Sequence, residues 1–148
     1  MKTETSLRMP YGCTYRIELT NGERFLTLAV TGVEPTNSLK LAVFSSDAHY
    51  QVFGQDELSQ SYDRSNWMSA IISGARYALR KLNIPLHRFT ISEFVGKLHS
   101  EDMQVIAEAT GQTIAAIAHE ELPTVELDGW NCHITASTPQ TSDLSPAL

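Results

Sequence analysis

Cysteine is scarce. The chain of 148 residues holds 2, Cys13 and Cys132, near its opposite ends and outside any CxxC or CxxxC spacing. Two such thiols make neither a disulfide framework nor a zinc site, and both read as reduced structural residues on the apolar side of hairpins. Long apolar runs are missing as well. The stretch MKTETSLRMPYG has no continuous hydrophobic segment after its first lysine, so neither a secretory leader nor a membrane span is read there, and a cytoplasmic location is the default expectation. Positive charge is in deficit: 11 Lys and Arg against 17 Asp and Glu give a formal charge of -6. That balance argues against nucleic acid or an anionic membrane as partner, since both call for a net positive face.

The sequential signatures of chemistry are absent too. There is no GxSxG elbow, Walker loop, Rossmann glycine set or kinase signature. The five histidines, His49, His87, His99, His119 and His133, are scattered, and AHEELP lacks the second histidine of an HExxH zinc helix. Cys132 and His133 are neighbours on an expected strand, so their side chains point to opposite faces, a poor geometry for activating a thiolate. Asp47, Asp56, Glu57 and Asp63 make an acidic segment without the spacing of an EF-hand loop. No cofactor and no metal are expected.

What is there is a globular composition, 42% hydrophobic and 19% charged, which fits one domain with a packed core. Residues 1–135 read as a single α+β domain and residues 136–148, rich in Ser, Thr and Pro, as a disordered tail. TYRIELT-NG-ERFLTLAV carries a hairpin signal: Asn21-Gly22 fits the centre of a type I′ turn, which would set Ile17 opposite Leu26, Tyr15 opposite Leu28 and Cys13 opposite Val30. One face of that hairpin is apolar and the other holds Thr14, Arg16, Glu18, Thr27 and Thr31, as in a sheet covered on one side. LKLAVFS is a third strand. Residues 46–64 are polar and read as a long loop, with a short fourth strand around Tyr50 to Phe53.

From Ser65 the period changes. Met68, Ile71, Ala75, Ala78 or Leu79, and Leu82 follow the spacing of a buried helix face, and Asn83 and Pro85 end the helix. Gly74 inside it implies that another backbone packs closely. HRFTISEFVGKL is the next strand. Ser100 then fits the N-cap of a second helix with the stripe Met103, Ile106, Thr110, Ile114 and Ile117. TVEL-DG-WNCHI offers a second hairpin, pairing Leu127 with Trp130 and Val125 with Cys132. The fold class expected is therefore α+β: one mainly antiparallel sheet in the order βββ(β)αβα, then a C-terminal hairpin, with two helices on one face.

IISGARYALRKL, FTISEFVG ending at Gly96, and MQVIAEATGQTIAAIA give an order of helix, strand and small-residue helix that resembles the left-handed βαβ superfamily, which includes domain IV of elongation factor G and the GHMP kinases. About a third of the chain carries this resemblance. The kinases' phosphate loop, of the form PxxxGLGSS, is absent, so the resemblance implies neither ATP chemistry nor any catalytic residue.

The most basic stretch, SAIISGARYALRKLNIP, puts Arg76 and Arg80 on one flank of the first helix. Arg80 and Lys81 sit in its last turn, where the helix dipole favours positive charge without any ligand. A phosphate would be held at the N-terminal end instead. Arg76, Arg80 and Arg88 are the candidate binding residues. The function expected is a small binding or interaction module that offers a sheet face or edge to a protein partner. The alternative is a hydrolase or transferase whose site is assembled between segment 46–64 and the basic flank.

Overall fold

A computed structural model of the chain describes residues 7–54, 64–122, 127 and 129–138. Five strands, β1 (Thr14–Asn21), β2 (Arg24–Pro35), β3 (Ala42–Gly54), β4 (His87–Leu98) and β5 (Asn131–Ser137), form one mixed sheet in the order β3-β4-β2-β1-β5. All pairings are antiparallel except that of β3 with β4. Two helices, α1 (Arg64–Lys81) and α2 (Met103–Ile117), pack on one face, and a single 3-10 turn, Ser100–Asp102, leads into α2. The class is α+β, with a mostly antiparallel sheet.

The first hairpin forms, with its turn one residue further along. Gly22 and Glu23 are the central residues, Asn21 pairs with Arg24, and Ile17 faces Leu28 while Leu19 faces Leu26. Positive φ occurs at Gly22 (66°) and not at Glu23, the type II′ pattern in place of the expected I′. Moving the turn by one residue shifts the pairing by two, which preserves the side-chain alternation. Ile17, Leu19, Leu26 and Leu28 are accordingly all fully buried.

The third strand corrects the expectation more deeply. The strand expected around Tyr50 to Phe53 forms, but as the continuation of β3, which takes in residues 46–54 in place of a loop. Its pairing with β4 jumps between Phe44 and His49, so residues 45–48 lie opposite Ser92 alone. A bulge of this size breaks the two-residue period that reveals a strand. The remainder of the expected loop, residues 55–63, lies outside the described residues.

In α1 the expected face is buried at Ile71, Ala75, Ala78 and Leu79, while Met68 and Leu82 are half-buried. Trp67, not expected in the core, is buried against Phe94, with ring centroids 5.6 Å apart. Gly74 meets α2: a Cβ there would lie 2.1 Å from the Ala107 carbonyl oxygen, so the helices touch backbone to backbone. On α2, Ile106, Thr110, Ile114 and Ile117 are buried. The hydroxyls of Thr110 and Thr113 donate to the carbonyls of Ile106 and Ala109, at 2.8 and 2.9 Å, which lets polar residues sit in the core.

The helices end alike. The Ile84 N–H reaches the Leu79 carbonyl and the Asn83 N–H that of Arg80; the Glu120 N–H reaches Ala115 and the His119 N–H reaches Ala116. Both are Schellman motifs, with Asn83 (φ 62°) and His119 (φ 58°) in the left-handed position usually taken by glycine. At the start of α2 the expected Ser100 cap is displaced. Asp102 takes that place for α2, while His99 caps the 3-10 turn before it, its N–H donating to the Asp102 carboxylate at 2.8 Å.

Near the N-terminus, Leu7 is buried and its N–H donates to His87 Nε2 at 3.1 Å, while Nδ1 lies 2.8 Å from the Pro85 carbonyl. An accepting Nε2 places the ring proton on Nδ1. Both nitrogens of this buried histidine are thereby engaged in structural bonds.

Candidate interaction surface

β5 is the outermost strand on its side of the sheet, paired through all seven residues to β1 in unbroken register, from Asn131 opposite Thr20 to Ser137 opposite Thr14. It runs through Ser137, two residues past the expected end of the domain; residues 139–148 lie outside the described residues. The expected partner of Cys132, Val125, also lies outside them, and the strand that Cys132 joins is β1, opposite Leu19. The entry to β5 is a turn in which the Trp130 N–H donates to the Leu127 carbonyl at 2.9 Å, with Gly129 at φ 87°.

A part-buried ion pair fixes that entry. Arg24 Nη1 lies 2.8 and 2.9 Å from the two carboxylate oxygens of Asp102, and the same guanidinium sits 5.0 Å from the centroid of the Trp130 ring. One residue at the start of β2 thus holds both the turn that leads into α2 and the residue that precedes the last strand. Trp130 and Ile134 pack against the edge of the core.

Beyond Trp130, β5 is open. Every residue is exposed except the half-buried Ile134, and α2 lies mainly over β1 and β2. By register, Cys132, Ile134 and Ala136 point to the helix side and Asn131, His133, Thr135 and Ser137 to the other. Cys132 is therefore exposed, contrary to its expected burial, although partial burial still pushes its thiol up from the ordinary value. The strand holds no Lys, Arg, Asp, Glu, Pro or Gly, and no bulge. Such features are the usual guards of an edge strand. The opposite edge, β3, has them: its bulge contains Asp47, whose carboxylate accepts from the Ser45 hydroxyl at 3.1 Å.

The uncovered face of the sheet is different in character. Six of its charges are paired, Arg16 with Glu93 at 3.0 Å, Arg88 with Glu34 at 3.3 Å, and Lys97 with Glu23 at 3.8 Å, while Glu18 is exposed on β1 opposite His133. Threonines fill much of the rest. A shallow groove follows the outer seam of α1 and α2 in two lobes of about 490 and 300 Å³, which share Ser73, Gln104 and Ala107. It is the cleft that any two crossing helices leave, floored by the Gly74 contact.

The three candidate arginines are not one patch. Arg76 and Arg80 are exposed a turn apart on α1. Arg88 alternates with His87 and Phe89, which face the helices, and so projects from the sheet's other face, where it meets Glu34. Nor does the described part of segment 46–64 reach Arg76: Tyr50 packs near Trp67, and Arg76 lies nine positions further along the helix, about 14 Å at 1.5 Å per residue. Among the described residues no group of three His, Cys, Asp or Glu side chains could hold a metal ion, and no helix is long and apolar enough to cross a membrane. Comparison of the chain with known protein families, curated proteins and solved structures found no match.

Proposed function

We propose that the chain is a small interaction module that acts by binding, taking up an extended strand of a protein partner along the outer edge of β5. The observation that carries this reading is the contrast between the two edges: β3 is bulged and charged, whereas β5 is straight, neutral and unguarded. An added strand bonds to the backbone groups of an open edge, and side chains alternating between the two faces set its specificity. The open face favours it less, since most of its charges already meet one another in ion pairs.

The alternative, a hydrolase or transferase site between segment 46–64 and the basic flank, loses support from the separation of Arg88 from Arg76 and Arg80. The resemblance to the left-handed βαβ superfamily adds no catalytic residue to it.

The test is partner uptake by full-length bait, with amide exchange measured on the complex. The expected result is gain of protection along β5, loss of the partner in Ala136→Lys, where a charge points inward at the edge, and retention in the Arg76→Ala, Arg80→Ala variant. A partner that survives Ala136→Lys but not the arginine variant overturns the reading.

A further inference from the structure

We propose that the strand added along β5 is the β5 of a second copy of this chain, the two related by a two-fold axis passing beside Ile134; this rests on the strand-addition reading above. In an antiparallel pair made by a two-fold axis, one residue faces its own copy. Centring on Ile134 gives the full overlap of the strand, with Cys132 facing Ala136, His133 facing Thr135 and Asn131 facing Ser137 of the second copy. No like charges oppose one another in that register. Centring on His133 would instead set histidine against histidine and leave the end of the strand without a partner.

The side chains fit the same occupant. Cys132, Ile134 and Ala136 form a short row on the helix side, exposed except for the half-buried Ile134. A strand set beside it extends the row when it carries small apolar residues at alternate positions, and a second β5 does so by identity. The resulting ten-stranded sheet keeps both pairs of helices on one face, with the two apolar rows meeting along the seam. The neutral strand also lets two chains of formal charge -6 meet where their acidic residues are not concentrated. Because Cys132 faces Ala136 and not its own copy, this dimer contains no disulfide and is indifferent to reductant.

The experiment is sedimentation of the full chain from about 1 to about 200 µM, a range suited to a small interface. The expected result is a monomer–dimer equilibrium unchanged by reductant. In the Asn131→Glu, Ser137→Glu variant, which sets carboxylates opposite each other twice, dimerisation should weaken by about tenfold or more, with an unchanged circular dichroism spectrum. In a Cys132→Ser, Ile134→Cys variant mild oxidation should give a covalent dimer, since directly opposed residues lie within the reach of a disulfide. A monomer throughout the range, a dimer indifferent to the glutamates, or one that oxidation at position 134 fails to lock overturns the inference. So does protection of the outward β5 amides in the dilute monomer, which would assign the edge to another part of the same chain. If the chain is monomeric yet a foreign partner protects β5, the second copy is wrong and strand addition stands.

Discussion

Arg24 and Asp102, separated by 78 positions in the chain, form the most buried ion pair among the described residues, with side chains 25% and 7% exposed. Arg16 and Glu93 make a pair of similar length, 3.0 Å, across the fully buried Ala29, but with 45% and 30% exposure. Burial separates the two energetically, because a charge left unpaired in the interior has no water to replace its partner. Arg24→Ala should cost about 2 kcal/mol of unfolding free energy, and Arg16→Ala less than about 1 kcal/mol. Urea denaturation checks both; equal losses would contradict the distinction.

The helix crossing gives a second test. A methyl group at position 74 would lie 2.1 Å from the Ala107 oxygen, whereas nothing comes within 4 Å of one at position 22, where the only obstacle is a φ of +66°. Gly74→Ala forces the helices apart and should cost about 3 kcal/mol, more than the gain in helix propensity returns. Gly22→Ala should cost about 1 kcal/mol through backbone strain alone. Thermal unfolding of the two variants should rank them in that order.

Local regularity was legible and distant pairing was not. HRFTISEFVGKL alternates on either side of a break at Ser92–Glu93 and spans β4 from end to end, and the stripes through Ile71 and Ile106 mark faces that are buried. Alanine at either isoleucine should cost about 2 to 5 kcal/mol, measurable by denaturation. That LKLAVFS and residues 50–53 belong to one strand escaped because the β3 bulge interrupts the alternation after Phe44. The joining of β5 to β1 brings the two ends of the chain together, and no local pattern specifies it. The same holds for the candidate site: Arg76, Arg80 and Arg88 are close in sequence, yet the parity of β4 turns Arg88 to the opposite face. The seven residues of β5 carry no formal charge, but nothing in the sequence places them at a sheet edge.

Both helices end on residues that tolerate the left-handed region less well than glycine. Asn83→Gly and His119→Gly relieve that strain at φ 62° and 58° while keeping the two Schellman bonds. Each should raise stability by about 0.5 to 1 kcal/mol, the gain being limited by the extra freedom of the unfolded glycine. The effect should be larger at His119, since asparagine is the better left-handed residue. A loss at either site, read from the urea midpoint, would mean that the side chain makes a contact worth more than the strain.

The thiols give the last test, and its pH dependence has a definite sign. Cys13 is buried and Cys132 exposed, so a thiol reagent should label Cys132 in the native protein and reach Cys13 only on unfolding. The reactive species is the thiolate. Partial burial raises the Cys132 pKa, so at neutral pH less of it is ionised than of an unperturbed thiol, and labelling should be slower than for the unfolded chain. As pH rises toward the raised pKa, the native rate should climb and the gap to the unfolded rate should close. Labelling is followed in dilute protein, where β5 is unoccupied; at high concentration a second strand over the row of Cys132, Ile134 and Ala136 should slow it further. Native Cys132 reacting as fast as the unfolded chain at neutral pH would contradict the raised pKa, and a rate independent of protein concentration would count against the paired edge.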